Sequence, residues 1–194
     1  FREIHRLSQH AAERRSVETQ PLSMDNVVLL RELVRRYEPP PGDGPIPAYL
    51  GIDVGSVSTN LVAMDEHGRL IHDIYLRTAG RPIEAVQKGL TELKELWGHR
   101  LAIRGVATTG SGRELIGEFV GADAVHDEIT AHKTGAVYIS RTLGGEMVDT
   151  IFEIGGQDSK VIVFGDDERY DVISAFMITR ITVDREAAPS GQAQ

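Results

Sequence analysis

The chain alternates between two hydrophobic periods, and each change of period marks a predicted element. Three apolar runs, AYLGIDVGS, TNLVAMDE and RLIHDIYLRT, are separated by tight turns, the second of which is His67-Gly68. Runs of this kind predict three antiparallel strands joined as a meander. Residues 82–97 predict a helix that begins with Pro82, because apolar side chains return at helical spacing, at Val86, Leu90, Leu93 and Trp97.

The same alternation continues beyond this helix. LAIRGVATT predicts a fourth strand, GRELIGEF a short helix and ITAHKTGAVYIS a longer helix. VDTIFEI and KVIVFG predict two strands on either side of GGQDS, and ERYDVIS predicts a third. A chain that mixes strands and helices in this order is predicted to belong to the α/β class.

The first 48 residues have a different texture. Residues 1–20 are polar without a clear period, which predicts a flexible segment. A helix is predicted over residues 22–37, because apolar residues fall at helical spacing, at Val27, Leu30 and Val34. The segment EPPPGDGPIPAY follows, and its prolines and glycines predict an extended linker.

The composition narrows the class of partner. The chain has 194 residues, 41% of them hydrophobic, and a formal net charge of −8, which argues against nucleic-acid or anionic-membrane binding. Backbone N–H groups can still hold phosphates on an acidic protein. The chain contains no cysteine, which excludes a disulfide and an iron–sulfur cluster with cysteine ligands within it.

The lengths of the apolar runs and the character of the first residues indicate where in the cell the protein is found. No run approaches the roughly 20 apolar residues that span a bilayer, and the first residues lack the apolar core of a secretory signal. We therefore expect a cytoplasmic protein. The chain starts with Phe rather than Met, so we expect a fragment or a processed product.

The first candidate site is the turn between the first two predicted strands. Asp53 ends a strand and Gly55 makes the turn, and polar side chains follow at Ser56, Ser58, Thr59 and Asn60. Such a turn can direct backbone N–H groups at phosphate oxygens, and Asp53 can hold a magnesium ion through water. An ordinary hairpin turn explains the same residues about as well. The turn is not a P-loop, since no Gly-Lys-Ser/Thr follows.

The second candidate site is the turn in GGQDS. Gly155 and Gly156 permit the close approach of a ligand. Gln157 and Asp158 can orient a water molecule or a metal ion, and Lys160 can neutralise phosphate charge. A simple hairpin turn uses the same residue types, and taken alone the pattern favours it.

Two further features have weaker chemical meaning. The segment Thr108–Arg113 joins a strand to a helix, so it predicts either an anion site at the helix start or a helix capped by Ser111. His132 lies within a predicted helix without a second ligand one turn away, which favours a surface or core residue over a zinc ligand.

Taken in order, five segments resemble one known family. They are YLGIDVGSVSTN, YLRTAGRPIEAVQKGL, ATTGSGRELIGEFVGAD, DEITAHKTGA and VDTIFEIGGQDSK, and together they cover about residues 49–165. Their order and content resemble the BadF/BadG/BcrA/BcrD ATPase family, the activators of 2-hydroxyacyl-CoA dehydratases and benzoyl-CoA reductases.

The resemblance implies a fold and a nucleotide site. The fold is a ribonuclease-H-like half of an actin, sugar-kinase or heat-shock-chaperone type ATPase, a mixed sheet with flanking helices and an incomplete second half. The cofactors are ATP and Mg²⁺, with Gly51–Asn60 as the first phosphate loop and Gly155–Lys160 as the second. Asp53 and Asp158 serve the magnesium-bound phosphates, and Gln157 positions the attacking water.

The resemblance also implies domain boundaries. They are a polar segment plus helix at 1–38, a proline-rich linker at 39–48, a first ribonuclease-H-like subdomain at 49–147, the start of a second at 148–177 and a flexible tail at 178–194.

The chain departs from the family where a cluster cysteine is expected. At that place it reads YDVISAFM, residues 170–177, without the Met-Asn-x-x-Cys-Ala-Ala-Gly-Thr-Gly segment. We therefore expect a fragment that lacks most of the second half and cannot carry the family's [4Fe–4S] cluster. The partners implied by the resemblance are a nucleotide, a dehydratase or reductase subunit, and a second copy of the chain.

Three functions remain open from the sequence. The first is an ATP-binding and ATP-hydrolysing domain of the activase type. The second is a non-catalytic remnant that serves as a protein-interaction module, and the third is another actin-like ATPase or a sugar kinase. The first requires that the two glycine turns face one another across a shared groove.

Overall fold

The computed structural model describes residues 21, 23–33, 35–143, 148–156, 159–164 and 170–175. They fall into two units, one that ends at Arg35 and one that begins at Arg36. No helix in these ranges is long and apolar enough to cross a membrane.

The first unit differs from the sequence prediction. The helix predicted over residues 22–37 is a single turn, α1, at Leu30–Leu33. Its apolar residues Leu30 and Leu33 are 45% and 48% exposed, so the helix gains little from packing, and short helices need packing to persist. Ser23 also accepts a hydrogen bond from the Asp25 N–H, which favours a local turn over a helix at this point.

The second unit begins with the predicted meander. Strand β1 is Ile46–Val54, β2 is Ser58–Asp65 and β3 is Leu70–Arg77, and consecutive strands pair antiparallel. The first strand starts inside the segment that the sequence assigns to the linker, because Ile46 N–H donates to the carbonyl of Arg100. Gly68 turns the chain between β2 and β3 with a φ of 74°, a conformation that suits glycine.

A parallel pairing then extends this sheet. Helix α2, Pro82–Trp97, leads to β4, Leu101–Thr109, which lies parallel to β1. Helix α3, Arg113–Val120, leads to a two-residue strand that the sequence analysis missed, β5, Ala124–Val125. The sheet has the order β3-β2-β1-β4-β5 and is therefore mixed.

The core of this sheet lies under the ends of the strands that carry the first candidate site. Ile52, Val54 and Leu61 are about 1% exposed and pack with Val86 of α2 and Ile116 of α3. Helix α2 comes close to β2 because residue 89 is glycine: a Cβ there would lie 2.7 Å from the Cδ1 atom of Leu61. The packing fixes the ends of β1 and β2.

A second, smaller sheet follows helix α4, Glu128–Leu143. It contains β6, Thr150–Ile154, β7, Ser159–Phe164, and β8, Tyr170–Ala175, all antiparallel in the order β6-β7-β8. Ile162 is fully buried, whereas Phe152 and Ile154 are 60% and 83% exposed. The three strands agree with the sequence prediction.

The proline-rich approach to β1 is attached to the second unit. The Tyr37 ring meets Trp97 edge-on, with centroids 6.2 Å apart, and the guanidinium of Arg69 lies 5.4 Å from the Tyr37 centroid. Arg100 donates to the carbonyl of Pro40 at 3.0 Å. We call residues 37–45 the entry strap.

Candidate functional site

The first glycine turn is closed by short contacts between the ends of β1 and β2. Asp53 lies opposite Asn60, whose side-chain amide donates to Asp53 Oδ2 at 3.2 Å. The Gly55 N–H donates to the carbonyl of Ser58 at 2.8 Å. Ser56 and Val57 are exposed at the tip of the turn. The turn thus presents its tip and the Asp53 side chain at one edge of the sheet.

Thr78, which no sequence pattern indicated, holds this turn in place by two hydrogen bonds to its backbone. Its hydroxyl donates to the carbonyl of Gly55 at 2.7 Å, and its N–H donates to the carbonyl of Val57 at 2.9 Å. The hydroxyls of Thr59 and Thr78 are 2.9 Å apart. Because the single hydroxyl proton of Thr78 goes to Gly55, Thr59 must be the donor in that pair.

Thr59, one of the polar residues of the first candidate site, has its side chain inside the protein. Its side chain is fully buried and is engaged with Thr78. Thr59 therefore supports the turn from within the protein. The alternation of a strand explains the difference, since Ser58 and Asn60 point to the opposite face from Thr59.

A third turn packs directly on the end of β1. A Cβ at Gly110, which has a φ of 86°, would lie 2.5 Å from Asp53 Oδ1 and 2.6 Å from the carbonyl oxygen of Val54. The same carbonyl accepts from the Gly112 N–H at 2.9 Å and from the Ser111 hydroxyl at 3.4 Å. Ser111 therefore does not cap α3: the cap residue is Gly112, without a side-chain cap. The prediction of a serine-capped helix is wrong.

A buried hydroxyl lies beside Asp53. Thr109 is paired in register with Asp53 on the neighbouring strand, and its Oγ1 atom has no hydrogen-bond partner within the described part of the chain. Asp53, Asn60 and Thr109 occupy facing positions on three adjacent strands, so their side chains share one face of the sheet. They form a polar group at the edge of the first sheet.

The second glycine turn lies against the first. A Cβ at Gly156 would overlap Val57 Cγ2 and would lie 3.1 Å from the hydroxyl oxygen of Ser56. Gly155 and Gly156 are themselves exposed. The two turns therefore face one another in direct contact. Gln157 and Asp158, the residues expected to orient water and metal, lie outside the described residues.

Lys160 does not extend toward the turns as a lone cation. Its side chain is 8% exposed, and its ammonium lies 2.6 Å from Glu128 Oε1 and 3.4 Å from Glu153 Oε2. We expected this charge to face phosphate. The structure gives it two carboxylate partners, which a phosphate would have to displace.

Two other charged side chains have local roles. The guanidinium of Arg113 turns back to the carbonyl of Gly110 at 3.1 Å and lies 3.5 Å from Glu114. His132 is an exposed residue of α4, as the surface interpretation expects. In the ranges that the structure covers, His, Asp and Glu side chains form no group of three that could hold a metal ion.

The fold and the contact between the two turns identify the structural class of the protein. A five-stranded mixed sheet of this order, followed by a second sheet whose first turn meets the turn after β1, is the ribonuclease-H-like architecture of actin-type ATPases. The sequence model of the BadF/BadG/BcrA/BcrD ATPase family matches residues 50–175. The chain belongs to this family, and the resemblance seen in the five segments is confirmed.

Solved structures confirm the fold class. The chain is similar to component A of the (R)-2-hydroxyglutaryl-CoA dehydratase of Acidaminococcus fermentans, with a TM-score of 0.54 and 23% identity. It is also similar to the activator of the 2-hydroxyisocaproyl-CoA dehydratase from Clostridium difficile, solved with bound ADPNP, with a TM-score of 0.53 and 23% identity. Each match covers 66% of this chain, and 47% and 46% of the other chain respectively.

A sequence relative extends the comparison to an archaeon. An uncharacterized protein of Methanocaldococcus jannaschii is 35% identical over 115 residues. The match covers 58% of this chain and 26% of that protein. The chain thus spans about a quarter of this relative and just under half of the two solved structures.

Proposed function

We propose that the second unit binds ATP with Mg²⁺ at the two facing turns and forms part of an ATP-hydrolysing activase domain. One observation carries the proposal: Gly156 lies against Ser56 and Val57, so the two turns that we propose to bind phosphate meet at one place. Membership of an ATPase family supports it. So does the bound ADPNP of the Clostridium difficile structure.

The residues of the first turn fit a magnesium-bound phosphate chain. Ser56 and Ser58 lie at or beside the tip, where backbone N–H groups and hydroxyls can donate to phosphate oxygens, and Gly55 makes the bend with its own N–H bonded to Ser58. Asp53 and Asn60 lie just behind the tip. We propose that Asp53 accepts from water on the magnesium ion, since Mg²⁺ keeps several waters. The buried hydroxyl of Thr109 beside it gives such a water a second partner.

The second turn supplies the opposite side of the proposed site. Gly155 and Gly156 bring its backbone close to the first turn. By resemblance, Asp158 is proposed to serve the magnesium ion and Gln157 to position the attacking water. The protein's part in phosphoryl transfer is then positioning and charge neutralisation.

An iron–sulfur cluster does not fit this chain. Its usual ligands are cysteine thiolates, and the 194 residues contain none. We therefore propose no electron-transfer step for it. A dehydratase or reductase subunit as partner, and a second copy of the chain, are proposed from the activators that it resembles, as is action inside the cell.

Calorimetric titration with Mg-ATP tests the function. We expect binding by the wild-type chain, and binding at least about tenfold weaker after Asp53→Asn, because the neutral side chain attracts magnesium-bound water less strongly. Asp73→Asn, at an exposed position of the same sheet, is the matched control and should leave the affinity unchanged. Absence of heat at millimolar Mg-ATP would contradict the proposal and favour a non-catalytic interaction module.

A further inference from the structure

A buried cation joins helix α4 to the second sheet. The side chain of Lys160 is 8% exposed and lies between those of Glu128 and Glu153, which are 34% and 17% exposed. Glu153 and Lys160 face one another across β6 and β7. Glu128 is the first residue of α4. The Glu128–Lys160 contact therefore connects α4 to a sheet that, among the described strands, has no pairing with the first sheet.

The Glu128 end of this contact is anchored to the first sheet. Asp127 accepts from the Thr130 N–H at 2.9 Å and from the Thr130 hydroxyl at 2.7 Å, which caps the start of α4. These bonds, the hydroxyl bond first, lower the pKa of Asp127, so the cap stays charged in mildly acidic solution. The His126 N–H donates to the carbonyl of Thr108 on β4 at 2.9 Å.

The Lys160 end is anchored to the second glycine turn. Lys160 lies in β7 directly after that turn, and the neighbouring Ile162 is fully buried. Gly156 at the other side of the turn contacts Val57. A displacement of β7 relative to α4 would therefore move the second turn away from the first.

The charges argue against phosphate binding by Lys160. Among the residues that the structure describes, the carboxylates of Glu128 and Glu153 both lie against the Lys160 ammonium. The lysine of this contact is 8% exposed, so loss of its ammonium would leave the carboxylates of Glu128 and Glu153 near one another without the cation that they share. A phosphate oxygen would have to displace Glu128 from this contact.

We propose that Lys160 is a positioning residue whose ion pair with Glu128 sets the spacing between the two glycine turns. It holds the second turn in place and does not touch the nucleotide. This inference rests on the proposed function only for its effect on ATP, because the spacing itself can be measured without a ligand.

The first test measures that spacing directly. The chain has no cysteine, so Tyr75→Cys on the first sheet and Phe152→Cys on the second, both exposed and outside the contact between the turns, accept one spin label each. We expect one narrow distance distribution by electron paramagnetic resonance. Lys160→Met and Glu128→Gln should each broaden or shift it. The exchange of Glu128→Lys with Lys160→Glu should restore it when it is combined with Glu153→Gln, which keeps two carboxylates from facing one another across β6 and β7. Lys88→Met, at an exposed position of α2, is the control.

The second test separates positioning from phosphate binding by titration with Mg-ATP. If Lys160 positions the turn, Glu128→Gln weakens binding by about tenfold or more, and the exchanged pair recovers most of the loss. If Lys160 is a ligand, Glu128→Gln leaves binding equal or tighter, Lys160→Met weakens it, and the exchanged pair binds no better than Lys160→Met. That second pattern, or an unchanged distance distribution in Lys160→Met, would overturn the inference. A narrow distribution in the labelled chain with native Glu128 and Lys160, together with no binding of Mg-ATP by the wild-type chain, refutes the proposed function alone.

Discussion

Asp53 and its neighbours illustrate how individual side chains acquire their roles. The carboxylate is held by Asn60, and the turn beside it is supported by the Thr78 hydroxyl. The sequence indicated Asp53 and Asn60 because a strand that ends in Asp-x-Gly is a recognisable pattern. It gave no signal for Thr78, which is 23 residues away from the carbonyl that it supports.

Removal of the Thr78 hydroxyl should destabilise the protein. Thr78→Val leaves the carbonyl of Gly55 and the buried hydroxyl of Thr59 without a partner. We expect the free energy of unfolding to fall by about 1–3 kcal/mol, measured by urea denaturation. Thr91→Val is the matched control, since that hydroxyl bonds within α2 at an exposed position. Equal losses in the two variants would contradict the supporting role.

The lowered pKa of Asp65 makes the stability of the protein depend on pH. Burial raises its pKa, but hydrogen bonds from the Arg69 N–H and guanidinium and from the His67 N–H outweigh burial, so the pKa lies below 3.8. Because the pKa of Asp65 is lower in the folded protein than in the unfolded one, the charged carboxylate stabilises the fold at any pH above its unfolded-state pKa. This stabilisation is lost as the pH falls through the folded-state pKa.

Asp65→Asn should therefore reduce stability most at neutral pH. We expect a loss of about 1–3 kcal/mol at pH 7, since bonds to a charged group are replaced by bonds to a neutral one. The difference from wild type should shrink below pH 4, as urea titrations at several pH values would show. Glu66→Gln, at the exposed neighbouring position, should show no such trend. A loss that is constant from pH 7 to pH 3 would exclude the carboxylate as the cause.

At the scale of elements, periodicity predicted most of the fold. The meander, α2, β4 and the three strands of the second sheet all appear, because each has a clear period of two or of 3.6 residues. β5 was missed because two residues cannot show a period. The helix over residues 22–37 was overpredicted because a pattern of spacing does not reveal whether a partner surface exists.

The meeting of the two turns was a hypothesis that periodicity could not test. It depends on a contact between residues about 100 positions apart, and the structure supplies it at Gly156. Periodicity likewise gave no signal for the ion pair of Lys160, since the carboxylate of Glu128 belongs to a distant segment.

Gly156→Ala should separate the turns and weaken nucleotide binding. The added methyl group would overlap Val57, so one turn must move. We expect affinity for Mg-ATP to fall about tenfold by calorimetry, or about 1.4 kcal/mol. The second substitution Val57→Ala should recover part of the loss by making room. Gly135→Ala, where the added group meets no atom within 4 Å, is the control. No recovery in the double variant would contradict a steric cause.

The whole molecule places negative groups near the proposed phosphate site. Asp53, Glu128 and Glu153 all lie on or next to the two turns, and the chain carries a formal net charge of −8. A free triphosphate would be repelled by this surface, so its binding depends on the accompanying cation. An acidic protein can therefore bind the nucleotide as proposed only if Mg²⁺ accompanies the triphosphate.

Withdrawal of magnesium should therefore abolish binding. We expect ATP in excess EDTA to show no measurable heat, whereas addition of Mg²⁺ restores it. In Asp53→Asn the dependence on Mg²⁺ should be weaker, because one repelling charge is gone. Equal affinity of the wild-type chain with and without Mg²⁺ would exclude a metal-bridged phosphate site.

Trp97 gives the entry strap an intrinsic optical signal. It is the single tryptophan of the chain, and its indole ring packs edge-on against Tyr37 at the strap. If the strap detached, the indole ring of Trp97 would lose its contact with Tyr37 and become exposed to water, and its fluorescence emission would shift to the red. The fluorescence of Trp97 in unlabelled protein thus shows whether the entry strap is bound to the ATPase fold, independently of any change at the glycine turns.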